Sequence, residues 1–300
     1  MKLTGVHWLM WQRLLIALLM LRVSNASAAA QEFVEVTPGE QYRAGPLRSF
    51  LIGQGYRSFW TSPIRVPVLN LAAYAGGLTP VEQGGRQTRT LHLRGADGKA
   101  YVFRSVDKFM EPVLPPEFAD TPLEALFQDA TAFFLPSGAL AVPPLLAAIG
   151  LLHVKPELYV MPDDARLGEF RQTFAGILGQ LEERPEAGAA ETPGFAGSRK
   201  VAGTDKVIEE LRASGRSRIV EDEWLAARLT DFIIGDTDRG TDQWRWARFE
   251  DASRGYVWRP IARDRDWAFL HADGLLAGIA HRIFPKAVTF NRQLPSVNAL

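Results

Sequence analysis

Cysteine is absent from all 300 residues, which excludes disulfides, thiolate zinc sites and a cysteine nucleophile. An excess of charge of either sign is missing too: 34 Lys and Arg balance 34 Asp and Glu, and both halves are close to even. Without a basic excess, general binding to a nucleic-acid phosphate backbone is not expected. Histidine is scarce, and His7, His92, His153, His271 and His281 show no metal-ligand spacing. Long apolar runs are lacking as well. The most hydrophobic internal stretch, residues 139–152, is interrupted by Pro143 and Pro144, whereas a membrane span needs about 20 continuous apolar residues. Neither a Walker A loop nor a G-x-S-x-G elbow occurs. What is present, 47% hydrophobic and 23% charged residues, describes a globular chain of one large domain or two modest ones.

The first thirty residues have the layout of a signal peptide. Lys2 and Arg13 precede an apolar run from Leu14 to Leu21, and small residues follow up to Ala30. Cleavage after Ala28 or Ala30 and export to the periplasm or beyond are expected. Residues 31–75 are rich in Gly, Pro and Arg without a sustained period, and read as an irregular extension packed on the rest.

Residues 88–94 and 100–106 alternate around Asp97-Gly98, the signal of a β-hairpin. Thr121-Pro122-Leu123-Glu124 is a capping box that opens a helix to about residue 134. A second apolar helix ending near Gly150 and strands at 157–161 and 173–183 follow. The stretch 185–198, mostly Ala, Gly, Pro and Glu, reads as a linker. Beyond it come helices at 204–213 and 221–234, the latter with an apolar stripe of Leu225, Leu229, Phe232 and Ile233. Strands at 244–249 and 256–262 complete the pattern. The class is α+β in two lobes, β-rich before the linker and mainly helical after it.

The chemistry concentrates in two loops flanking that last hairpin: Asp236-Thr-Asp238-Arg239-Gly240-Thr-Asp242-Gln243 before it and Arg263-Asp264-Arg265-Asp266 after it. Turn statistics alone explain either loop as a solvated turn. A single hairpin brings the two together, and carboxylates gathered beside an amide suit a hard cation that also holds phosphate. Asp236, Asp238 and Asp242 have calcium-loop spacing, but Thr241 and Ala247 stand where an EF-hand needs Gly and Glu. Trp244, Trp246, Trp258 and Trp267 crowd the same hairpin and read as core packing beneath the loops.

The order helix, Asp-x-x-x-x-amide loop, hairpin, Asp loop resembles the catalytic half of protein-kinase-like folds. Ile234-Gly-Asp-Thr-Asp238-Arg239 is most similar to the atypical secreted kinases of the spore-coat CotH type and the Golgi casein-kinase type, whose motif here is G-[ND]-x-D-R-H. That resemblance implies Asp238 as the catalytic carboxylate, with Gln243 and Asp264 or Asp266 on the metal side. It further implies Gly84 and Gly85 as a loop over the phosphates, Arg104 or Lys108 as the cation, and Glu124 or Asp129 as the acid of the next helix. Glu183 falls at the interlobe hinge. The implied boundaries are a signal peptide over 1–30, an extension over 31–75, an N-lobe over 76–185 and a C-lobe over 186–300. Only one helix, at 270–283, is expected after the metal loop, so the C-lobe reads as a truncated relative of longer ones.

The implied activity is binding of ATP or another nucleotide with Mg²⁺ or Mn²⁺ and phosphoryl transfer to an unidentified protein or small-molecule acceptor. Gly240 in place of His, Gln243 in place of a stronger ligand and the absent strand lysine keep two alternatives open. One is a pseudokinase that docks a cell-envelope partner; the other is a metal-dependent phosphohydrolase.

Overall fold

The computed structural model describes residues 31–114, 117, 120–188, 193–251, 255–278 and 289–290. The signal-peptide expectation therefore lies outside the described residues. From Phe33 onward the chain forms one unit. It opens with β1 (Phe33–Val36), α1 (Pro46–Leu51), α2 (Arg57–Trp60) and β2 (Ile64–Pro67), in which β1 and β2 pair antiparallel. This stretch is less irregular than its composition suggests, because its apolar residues have places to go. Tyr42 and Trp60 pack with Ala132, and Val66 packs with Val160 and Leu178.

The next strands are β3 (Leu78–Gly84), β4 (Thr90–Gly95) and β5 (Ala100–Ser105). The expected hairpin is β4–β5, closed by Gly98 at φ +81°, where the left-handed backbone is open to glycine at little cost. Then come α3 (Pro122–Asp129), α4 (Gly138–Ala141), α5 (Pro143–Ala148), β6 (Leu152–His153), β7 (Glu157–Val160), α6 (Arg171–Phe174) and β8 (Leu178–Glu183). One antiparallel sheet has the order β3-β4-β5-β8-β7, a three-stranded meander with the last strand inserted beside its third. Alternation divides its faces. Leu91, Leu93, Tyr101, Phe103 and Leu181 enter a core with Leu69, Leu71, Met161 and Phe174. Thr90, His92, Arg104, Gln180 and Glu182 therefore face the other way.

The second sheet uses β9 (Lys200–Gly203), β10 (Ser217–Ile219), β11 (Trp244–Asp251) and β12 (Gly255–Ala262), in the order β10-β12-β11-β9, with β6 also paired to β12. Helices α7 (Thr204–Ala213) and α8 (Glu221–Ile234) belong to this part and match their expected bounds.

Several expectations need correction. The part after the linker is not mainly helical: it holds a sheet, whose strands β9 and β10 are too short to show a period. The segment expected as one strand at 173–183 starts as α6, because Phe174 enters the core and Gly176 at φ +76° turns the chain before β8. Residues 138–153 precede the linker yet pack with the second sheet: Val142, Leu146 and Leu151 share a core with Ala227, Ile234 and Trp244. The chain thus passes between the sheets more than once, rather than only near residue 185. Residues 124–148 are apolar on average, but they fold as separate pieces broken after Phe133 and at Val142.

The stripe on α8 also faces the opposite way from its expected burial. Leu225, Leu229 and Ile233 are exposed, while Ala227, Thr230, Asp231 and Ile234 are buried. Ion pairing of Asp231 sets that phase, and the small Ala227 lets the helix approach Trp244. Residues 275–278 are helical, and the rest of the helix expected at 270–283 lies outside the described residues.

Candidate functional site

A cleft of about 480 Å³ is lined by both sheets and by the loops around β11–β12. Asp238, Gln243, Asp264 and Asp266 all line it, and so do Gly85, Arg104 and Lys108. The reason is topological. α8 ends at Gly235, which takes a left-handed φ of +65° and donates to the carbonyls of Asp231 and Phe232. The chain then runs through Asp238 into β11, turns, and returns along β12 to Arg263. In register, Trp244 lies opposite Ala262, so the loop before β11 and the loop after β12 emerge side by side.

A buried ionic cluster fastens those loops. Arg265 donates to Asp231 and, at 2.9 Å, to Asp236, and Arg228 donates to the other oxygen of Asp231 at 2.6 Å. Arg239 donates to the carbonyls of Arg263 at 2.8 Å, Asp264 at 3.2 Å and Gln243 at 3.3 Å. Its guanidinium also lies 4.7 Å over the Trp244 ring. Asp236 is thus a structural anion and Asp242 is exposed, which removes the calcium-loop reading. Burial pushes the Asp236 carboxyl up to about 6, against the pull of Arg239 and Arg265 and with added repulsion from Asp231.

Asp264 occupies a left-handed backbone position, φ +57°, a strained conformation for a non-glycine residue. Burial disfavours its charge, yet Arg104, Arg263, Lys108 and Arg239 outweigh that and hold the carboxyl below the ordinary aspartate range. Asp266 pairs with Lys108, whose ammonium is buried and lies 4.2 Å over the Phe134 ring. Arg104 pairs across the strands with Glu182. Among the described residues no three His, Asp or Glu side chains converge as a protein-only metal cage. The hard donors on offer are the Asp264 and Asp266 carboxylates and the Gln243 amide. Such an incomplete set suits a cation that keeps waters and takes its remaining ligands from a substrate phosphate.

Four expected residues lie outside the cleft: Glu183, Gly84, Glu124 and Asp129. Glu183 pairs with Lys99 at 2.8 Å on the opposite face of β8 from Glu182. The period of two decides this: Leu181 enters the core, so Gln180 and Glu182 share the cleft face. Gly84 ends β3, and a Cβ there would meet the His92 ring at 3.3 Å. Gly85, at φ +92°, is the glycine at the cleft, and a Cβ on it would meet the Thr88 carbonyl oxygen at 2.2 Å. Glu124 accepts from the Asp120 backbone N–H at 2.7 Å. Asp129 is buried and bound by both Arg57 nitrogens at 2.8 and 2.5 Å, away from the cleft.

His92, Gln180, Glu182 and Arg263 also line the cleft, without a site role expected of them from sequence. For the first three, alternation against Leu91, Leu93 and Leu181 was the available signal. The tryptophans divide. Trp244, Trp246 and Trp258 are buried, with the Trp224 ring 4.5 Å from Trp244 and 5.2 Å from Trp246. Trp267 lines the cleft with an edge contact to Phe134 at 5.3 Å. Comparison with protein-family models and with curated proteins finds no match to this chain.

Proposed function

We propose that the chain is a two-lobed, kinase-like protein that binds a phosphate donor with Mg²⁺ or Mn²⁺ and transfers a phosphoryl group to an acceptor hydroxyl. One observation carries this reading: Asp238 before the β11–β12 hairpin and Asp264 and Asp266 after it line the same cleft as Gly85, Arg104 and Lys108 from the other sheet. The meander-plus-insertion order of the first sheet supports it further, since it puts Arg104 of β5 and Glu182 of β8 on adjacent strands as an ion pair.

In this reading Arg104 and Lys108 orient the phosphate oxygens from one side, and the Gly85 backbone allows close approach from above. Asp264, kept anionic by its cationic neighbours, and Asp266 would hold the divalent cation, with Gln243 beside them. The cation supplies neutralisation of phosphate charge when bound. Asp238 orients the acceptor hydroxyl and takes its proton, so positioning and electrostatics carry most of the catalysis.

The test is a melting-temperature matrix on wild type and Asp238→Asn, with ATP, ADP or GTP and with or without Mg²⁺ or Mn²⁺, followed by transfer of labelled γ-phosphate. Nucleotide and metal together should stabilise wild type, and Asp238→Asn should keep the fold while losing transfer. Stabilisation by metal alone would favour the phosphohydrolase. No response to any ligand would end the reading in favour of a docking module.

A further inference from the structure

The cleft has polar and basic groups, Arg263 and His92 among them, that phosphoryl transfer at Asp264 and Asp266 does not use. Two cross-strand rows form its roof. Thr90 lies opposite Arg104 and Arg104 opposite Gln180 in one, and His92 opposite Val102 and Val102 opposite Glu182 in the other. Val102, the only apolar member, is 1% exposed and does not line the cleft. Hydrogen-bonding groups therefore make up this roof.

Arg263 approaches from the second sheet, immediately after β12, and lines the same space. Its cationic neighbours each have a partner: Arg104 pairs with Glu182, Lys108 with Asp266, Arg265 with Asp231 and Asp236, and Arg239 with three carbonyls, although Arg239 Nε and Arg265 Nε and Nη2 are left without a hydrogen bond. The Arg263 guanidinium makes no hydrogen bond or ion pair among the described residues, and only its backbone is engaged, donating to Gln243 and accepting from Arg239. Arg104 and Arg245 lie near it, with Asp264 and Glu182 as the opposing charges. His92 Nδ1 is buried with no partner. Burial together with Arg184, Arg104 and Arg263 keeps that ring below the usual histidine range and hence neutral near pH 7. Cations crowded in this way repel one another until an anion arrives.

We propose that Arg263 and His92, beside Arg104, form a second anion seat, which takes a phosphate group other than the one held by Arg104 and Lys108 next to Asp264 and Asp266. Guanidinium forks match phosphate oxygens bidentately, and neutral His92 can donate one ring N–H to a phosphate oxygen. The second phosphate belongs either to an extended condensed phosphate that reaches both seats or to a phosphorylated acceptor lying beside the donor. The proposal deepens the phosphoryl-transfer reading, but the seat itself requires no metal.

The experiment is titration calorimetry of the full chain with tripolyphosphate and with glucose 6-phosphate, in metal-free buffer and again with Mg²⁺, on wild type, Arg263→Gln and Asp264→Asn. Wild type should bind at least one of the two anions without metal. Removing a charge-assisted contact should weaken that binding about tenfold or more in Arg263→Gln. The apo melting temperature of Arg263→Gln should be unchanged or raised, because the lost cation was repelled by its neighbours, so weak binding cannot be assigned to misfolding. Tripolyphosphate that competes with ATP identifies a donor spanning both seats. Sugar phosphate that binds alongside ATP identifies a phosphorylated acceptor. Undiminished metal-free binding by Arg263→Gln, or no anion binding by wild type, overturns the seat. Asp264→Asn separates the two ideas: it should abolish the Mg²⁺-dependent increment while leaving metal-free anion binding in place. Absence of a Mg²⁺ increment in wild type would count against the transfer reading alone.

Discussion

Arg265→Met tests the anchor beneath the two acidic loops. The Arg265 side chain is 4% exposed and serves two carboxylates that are both fully buried, Asp231 and Asp236. Methionine fills similar volume but leaves Asp236 with only Arg239, at 3.7 Å. Removing one partner of a buried ion pair costs about 3–5 kcal/mol, a large share of the roughly 5–15 kcal/mol typical of a folded domain. The melting temperature should fall by roughly 6–20 °C, at about 2–4 °C per kcal/mol for a chain of this size. Urea unfolding followed by tryptophan fluorescence is suited to the measurement, since Trp244 lies 5.8 Å from the Arg265 guanidinium and 4.7 Å from that of Arg239.

The pH dependence gives a second check. Asp236 has a folded pKa of about 6 against an ordinary 3.8, so its contribution to stability is fully present below about pH 4 and is lost as pH rises through about 6. Without Arg265 the carboxyl should hold its proton still higher, and the penalty should be smaller at pH 5 than at pH 8. Arg43→Met, which breaks an exposed pair with Glu40, should have no measurable effect. If Arg265→Met unfolds at the wild-type urea concentration with the same slope, the cluster does not hold the loops and the reasoning is wrong.

Two further predictions concern charged pairs. Glu182→Gln should weaken the response to nucleotide and metal because it releases Arg104 in the cleft, while Glu183→Gln, on the outer face with Lys99, should leave that response unchanged; equal effects from the two would refute the assignment of faces. Burial opposes the charge of Glu210, but Lys200, Ser217 and Trp258 hold it at about 2 against an ordinary 4.5, so its contribution is present above about pH 4.5 and lost as pH falls toward 2. Glu210→Gln should therefore flatten the decline of melting temperature between pH 5 and pH 2.5, and an unchanged decline would show that the network with Lys200 contributes nothing.

Local signals carried the elements that were legible from sequence. Helix α8 was bounded correctly because acidic residues open it and Gly235 closes it, and the β4–β5 hairpin because Asp97-Gly98 marks its turn. Strands β9 and β10 escaped notice because a few residues cannot display a period, and their partners, β11 and β12, lie far along the chain. The stripe on α8 misled for a related reason. Hydrophobicity predicts which face is buried only when apolar contact is the dominant attraction, and here Asp231 engages Arg265 and Arg228 and brings the polar face inward.

The same contrast accounts for what was seen and missed in the cleft. Asp238, Asp264 and Asp266 were legible because acidic loops on either side of one hairpin must meet, whatever else the fold does. Arg263 was not, although it adjoins Asp264, because a charge in a polar loop looks identical whether it is solvated or buried. What distinguishes Arg263 is the state of its surroundings: Arg104 and Arg245 nearby, and a side chain without a partner where every neighbouring cation has one. That property is set by strands brought together from residues 90–104 and 255–262 and has no sequence signature. The functional weight placed on Arg263 therefore rests on tertiary electrostatics, and the Arg263→Gln titration measures that contribution separately from the acidic loops.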